Sequence, residues 1–227
     1  NKNIMPLIDN LLKMDNLFVK GENIQNMLNQ NNISTFSNNF SASTNLKSGR
    51  FLLSPSVNYC LIKNYIYYDQ TAQVSQTSLP ISIFKVALGA EYRWRKLLIV
   101  NQLYVIANSE PNIIRMPKLA NNTKISYEFV YAKVLHINTG VEIYYRSAYK
   151  ADNYMPLTRQ FYLQDNQQVW RTPVADVFAD LKINKVRLFF KFAHVNQGFP
   201  SSGYYVSSTY PGLQRTFFLG VNWPLFD

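Results

Sequence analysis

The side chains able to make and break bonds are few in this sequence, and they do not converge. There are two histidines, His136 and His194, and one cysteine, Cys60. Nucleophilic catalysis needs a Ser, Cys or Asp within reach of a base that a third group orients. His136 stands beside an expected tight turn. His194 falls in phase with Phe190 and Phe192, on what reads as the apolar parity. Neither has a Ser and a carboxylate beside it at mid-strand, so the chain is expected not to be an enzyme. Two histidines at opposite strand ends make a poor transition-metal site, and a lone cysteine makes neither an internal disulfide nor a cysteine-rich zinc site. The glycines are spread singly rather than gathered into a phosphate-binding loop. Loop carboxylates are too few to give calcium weight. No metal and no cofactor is expected.

What remains is charge at regular spacing. From Ser82 to Trp94 one parity reads Phe84, Val86, Leu88, Ala90, Tyr92, Trp94 and the other Ile83, Lys85, Ala87, Gly89, Glu91, Arg93. Successive side chains of a strand point to opposite faces, so this segment has an aromatic-apolar face and a small-or-charged face. Other segments repeat the pattern. Ile125, Tyr127, Phe129 and Tyr131 oppose Ser126, Glu128 and Val130, and Val141, Ile143 and Tyr145 oppose Glu142, Tyr144 and Arg146. Val177 to Ile183 opposes Phe178, Asp180 and Lys182, while Leu188, Phe190 and Phe192 oppose Arg187, Phe189 and Lys191. At the end, Phe217, Leu219, Val221, Trp223 and Leu225 oppose Phe218, Gly220, Asn222 and Pro224. Cys60 shares its parity with Ser54, Ser56 and Asn58 and reads as a small filler of the polar side.

The connections between these strands alternate in length. Tight turns are expected near Ser48-Gly49, Arg95-Lys96, Asn138-Thr139-Gly140 and Asn184-Lys185, about 45 residues apart. Longer polar stretches lie between them, at 69–79, 109–123, 151–173 and 196–212. Every second strand end therefore returns to one side. Aromatic residues make up 15% of the chain and charged residues only 16%, and Tyr and Phe suit pleated, half-buried surfaces. No run of about eighteen apolar residues exists, so a spanning helix is not expected. The net charge of +10 is scattered singly with no basic run, so no nucleic-acid partner is expected. The chain begins at Asn1 without a basic or apolar leader and is expected to be a mature or truncated product.

Short turns on one side and long loops on the other are what an up-and-down transmembrane β-barrel needs, with about ten tilted residues per crossing. Backbone groups in lipid find no water, so such a sheet must close. Tyr65, Tyr67, Tyr92, Trp94, Tyr145, Tyr149 and Trp223, near strand ends, suit interfacial girdles. A soluble β-sandwich also alternates; the kept asymmetry of the connections favours the barrel. The expected fold is thus all-β and antiparallel, with about nine strands over 33–227 and an irregular external segment over 1–32. Phe84, Leu88, Trp94, Tyr127, Phe129, Phe190, Phe192, Phe217, Leu219 and Trp223 would then face lipid. Lys85, Glu91, Arg93, Glu128, Glu142, Arg146, Asp180, Lys182, Arg187 and Lys191 would line the interior.

Particular runs carry a resemblance. Tyr144-Tyr145-Arg146-Ser147-Ala148-Tyr149, Asn153-Tyr154-Met155-Pro156, Phe161-Tyr162-Leu163-Gln164, Pro173 to Phe178, Arg187 to Lys191, His194-Val195-Asn196 and Tyr210-Pro211 resemble the Bacteroidota putative-porin family, as does Leu61 to Asp69. The resemblance implies a single-chain outer-membrane barrel of a Gram-negative bacterium, with its C-terminus in the periplasm. Its members are longer, so this chain is expected to supply the C-terminal strands. It also implies that the assembly machinery reads the last strand, through Phe217, Leu219, Val221, Trp223, Leu225 and Phe226. Outer-membrane lipid and lipopolysaccharide would surround the barrel, and other outer-membrane proteins or lipoproteins could dock on its loops. Two functions stay open: a passive channel for small hydrophilic solutes, and a non-conducting structural or accessory subunit of a larger outer-membrane complex.

Overall fold

The computed structural model describes residues 36–201 and 203–223, and among these no helix forms. The strands are β1 (Phe36–Ser43), β2 (Leu46–Ser48), β3 (Phe51–Lys63), β4 (Ile66–Tyr68), β5 (Val74–Gln76), β6 (Ile81–Trp94) and β7 (Leu97–Asn108). They continue as β8 (Leu119–Tyr131), β9 (Leu135–Arg146), β10 (Asn153–Met155), β11 (Gln160–Tyr162), β12 (Val174–Ile183), β13 (Val186–Ala193) and β14 (Thr216–Asn222). One sheet takes the order β1-β3-β6-β7-β8-β9-β12-β13-β14, every pair antiparallel and each strand beside its successor. β2 follows β1 along the same side of β3. Between them the pairing breaks opposite Pro55, which has no N–H to give to the ladder. Within the described residues the sheet is an open meander, with β1 and β14 at its edges. Residues 1–35, Leu225 and Phe226 lie outside the described residues.

Three of the four expected tight turns form. Gly49 adopts φ 55°, Arg95 φ 53° and Asn184 φ 50°, the positive values that two-residue hairpins require. The expected turn at Asn138-Thr139-Gly140 does not form. β9 runs through it, and the reversal comes earlier, where Ala132 and Lys133 take φ 49° and 62°. Gly140 has a different task there. A Cβ on it would collide with the carbonyl oxygen of Ile125 and come 2.9 Å from the Ser126 Cα, so the glycine lets β8 and β9 approach closely. Residues 119–123, expected in a loop, lengthen β8 instead.

The long connections pack into a layer at one end of the sheet. β4 and β5 pair as one small hairpin and β10 and β11 as another. The Leu163 amide donates to the Tyr68 carbonyl at 3.0 Å and joins the two. Asp165 accepts from Arg115 at 3.0 Å and from Lys150 at 3.1 Å. Lys150 beside it, with Arg115, holds the Asp165 carboxyl below the usual carboxylate range. Beneath the loop 109–118 lies the main apolar cluster, Cys60, Ile62, Ile81, Ile83 and Ile114. Tyr65 packs on this cluster, and burial with the nearby Asp152 charge pushes its hydroxyl up to about 12. Tyr65, Tyr67 and Tyr149 thus belong to a cavity in the loop layer rather than to a girdle, because their segments leave the sheet before them.

Candidate functional site: the polar face of the sheet

The register decides which side chains share a face. Asn58, Lys85 and Ile106 stand in one row across β3, β6 and β7. Lys124, Glu142 and Asp176 form another across β8, β9 and β12. Following these rows, Lys85, Glu91, Arg93, Glu128, Glu142, Arg146, Asp180, Lys182, Arg187 and Lys191 all fall on one face. Phe84, Leu88, Trp94, Tyr127, Phe129, Phe190, Phe192, Phe217 and Leu219 fall on the other, and Trp223 continues their parity one residue past β14. Most of this second set is exposed, Leu219 at 59% and Trp223 at 63%. Phe189 and Phe218 lie on the polar face near the β14 edge, and the Phe189 ring covers the space above Gly220.

The charged residues separate into two groups along the strands. Glu91, Arg93, Glu128, Asp180, Lys182 and Arg187 gather toward the tight turns. There Arg93 and Glu91 pair at 3.6 Å, and Lys182 stands between His136 and Arg187. Lys85, Glu142, Arg146 and Lys191 occupy the loop half. Here the structure builds a network that spans four strands. Glu142 accepts from Lys124 at 3.1 Å, Lys191 at 3.4 Å and the Tyr144 hydroxyl at 2.6 Å. Lys191 also reaches Asp176 at 2.8 Å, and Lys124 lies 4.2 Å above the centre of the Phe178 ring. Each cation thus touches a carboxylate, which is how charge is kept on a partly enclosed surface.

Tyr144 joins this network from the polar parity already read between Glu142 and Arg146, whereas Lys124 and Asp176 join it without having been placed on that parity in the sequence. Lys124 is in phase with Ser126 and Glu128, and Asp176 with Phe178 and Asp180. Extending those two strands back by one or a few residues would have included them. His194 is a correction. It does not continue the apolar parity of Phe190 and Phe192, because β13 ends at Ala193 and His194 takes φ 51°. It is 4% exposed, donates its amide to Asp176 at 2.8 Å, and sets Nδ1 3.0 Å from the Leu213 carbonyl.

Above the network the loops enclose a cavity of about 250 Å³. Its walls include Tyr104, Asn122, Tyr145, Arg146, Trp170, Asp176, His194, Tyr204 and Leu213. The Arg146 guanidinium stacks 4.5 Å from the Trp170 ring centre. Tyr204 packs on both Trp170 and His194, and burial raises its hydroxyl above the usual range. Trp170 and Arg171 hold φ 61° and 96°, and no signal in the sequence pointed to this loop geometry. Among the described residues no group of His, Cys, Asp and Glu could hold a metal ion.

Three comparisons bear on this architecture. The family model described as "Putative porin" matches residues 16–227. No curated protein matches the sequence. Solved structures do match. The FrpB iron transporter from Neisseria meningitidis (F3-3 variant) aligns with a TM-score of 0.59 at 18% identity, over 83% of this chain and 31% of that one. BauA, the ferric preacinetobactin receptor from Acinetobacter baumannii, gives 0.55 at 13%, over 82% and 29%. The ferric yersiniabactin uptake receptor FyuA from Yersinia pestis gives 0.52 at 10%, over 83% and 28%. At these identities the likeness is one of fold, an outer-membrane β-barrel, and the chain spans about a third of the length of the structures it matches.

Proposed function

Because the chain belongs to the putative porin family, we propose that it forms the C-terminal strands of an outer-membrane barrel that works as a passive channel for small hydrophilic solutes. The carrying observation is the division of the sheet into one face of large exposed apolar side chains and one that carries the charges. Charged side chains at membrane depth stay solvated where water fills the lumen or where they pair. Cations outnumber carboxylates on the polar face: Lys47, Lys85, Arg93, Lys124, Arg146, Lys182, Arg187 and Lys191 stand against Glu91, Glu128, Glu142, Asp176 and Asp180. Such a lining prefers anions. In this reading the tight turns and the end of β14 face the periplasm, and the loop layer faces outward. Lipid and lipopolysaccharide cover the apolar face. The assembly machinery recognises Phe217, Leu219 and Val221 on β14, together with Trp223, Leu225 and Phe226 beyond it.

Two experiments test this. Purified full-length protein in a planar bilayer should give steady conductance steps that scale with salt, and a salt gradient should give a reversal potential favouring chloride. Lys85→Glu should move that potential toward cations. A heat-modifiable barrel that never conducts would sink the channel reading. The second experiment addresses the apolar face. Leu88 sits at the middle of β6 and is 38% exposed. Leu88→Arg should cost about 2–4 kcal/mol of stability in lipid, the usual penalty at the bilayer midplane. Lys85→Arg, on the polar face, should leave stability unchanged. Equal urea midpoints for the two variants would contradict a lipid-facing Leu88.

One observation favours a second reading, that of an accessory subunit in a larger outer-membrane assembly. Leu157 and Phe199, in the loop layer, are 95% and 80% exposed, and large apolar side chains at loop tips suit a protein partner. Stoichiometric co-purification of one partner with a non-conducting barrel would favour it.

A further inference from the structure

Arg146, the last residue of β9, forms no ion pair among the described residues, although Lys124 and Lys191 on the same face each hold a carboxylate. It also differs from Lys182 and Arg187, which are open to solvent. Arg146 is half-buried, with its guanidinium against Trp170 on the wall of the loop-side cavity. Trp170 and Asn122 also line this wall, but the Trp170 Nε1 and Asn122 Oδ1 atoms are buried behind it and do not face the cavity. A cavity wall that carries a cation with no counter-ion is short of a ligand's complementary charge.

We infer that this cavity is a binding site for a small monocarboxylate carried on a flat ring. The planar guanidinium of Arg146 matches a carboxylate's two oxygens. Tyr104, Tyr204 and Leu213 supply flat and apolar wall on which a ring packs. A dianionic phosphate fits less well, because it asks for a second cation. The one at hand, Lys191, already serves Asp176 at 2.8 Å and Glu142 at 3.4 Å. An ammonium group finds no free carboxylate here, since Asp176 is held by Lys191 and the His194 amide. A volume of about 250 Å³ suits one ring and its substituents rather than a large chelate. The site lies under the loops, on the face assigned to the lumen. It rests on that assignment for access and does not depend on conduction.

The test is calorimetric titration of the full-length protein in detergent with benzoate, using neutral benzyl alcohol as the comparison. The acid should bind at least tenfold more tightly than the alcohol. Arg146→Gln should bring the acid down to the alcohol's affinity. Equal affinities for acid and alcohol, no heat with the acid at millimolar concentration, or an unchanged affinity in Arg146→Gln would each overturn the inference. If Arg146→Gln does not yield a heat-modifiable barrel, the acid–alcohol comparison on the unaltered protein decides alone. Acid-selective binding by a barrel that fails to conduct would defeat the channel reading and leave this site standing. Conduction without such binding would defeat only the site.

Discussion

Gly140→Val should abolish assembly of the barrel. Gly140 sits inside β9, between Ser126 of β8 and Phe178 of β12, where even a Cβ collides with the Ile125 carbonyl and the Ser126 backbone. Flexible side chains can move aside, but a paired backbone cannot move without breaking its ladder. Overpacking against side chains costs about 1–3 kcal/mol, and a collision with backbone lies at or above the top of that range. In a meander, losing the β8–β9 pairing separates six strands on one side from four on the other. The measurement is the fraction of full-length protein with heat-modifiable mobility after refolding into lipid. Gly140→Ala should lower it, and Gly140→Val should bring it near zero. Refolding of the valine variant at the original yield would show that β8 and β9 do not approach as described.

Glu142→Ala should be the most damaging single-charge deletion on the polar face. Glu142 is the acceptor shared by Lys124, Lys191 and Tyr144. Its removal leaves Lys124 with only the Phe178 ring, while Lys191 keeps Asp176. Hydrogen bonds to charged groups contribute about 1.5–3 kcal/mol each, and less where water reaches them. The Glu142 side chain is 19% exposed, so the expected loss is about 2 kcal/mol, with Glu142→Gln losing about half as much. Urea unfolding in lipid at low and high salt reads this directly. The loss should persist at 1 M salt, because a partly enclosed network is screened far less than a surface pair. By contrast, Glu91→Ala, at the exposed pair with Arg93, should change stability by less than about 0.5 kcal/mol. A midpoint for Glu142→Ala equal to that for Glu91→Ala would remove the network from the account of stability.

Much of the fold and of the polar face was legible in the residues alone. Period two is a local property of the backbone, so the order Phe84, Lys85, Val86 already assigns each side chain to one face or the other. The two sets read in this way coincide with the rows that the strand register makes. Turns were legible where a hairpin residue stood between two complete strands, as at Gly49 and Asn184. They were not legible at Gly140, because a glycine admits two explanations that local sequence does not separate: a positive φ, or the absence of a Cβ. Only the neighbouring strand, with its backbone against that position, decides between them.

The same limit applies to the site. The residues by themselves determined that charge lies on one face and that Cys60 shares that face, though not that it packs there among Ile62, Ile81, Ile83 and Ile114. They could not determine which charges meet. That depends on register, which sets Lys124, Glu142 and Asp176 side by side although they come from three strands. Nor could they determine what the loops do, since loops have no period to read. His194 turns inward because β13 stops one residue before it, and Trp170 reaches Arg146 across 24 residues of chain through a backbone in the left-handed region. Alternation follows from the chirality and pleat of a single strand. Partnership follows from the packing of many strands and loops, and only the tertiary structure contains it.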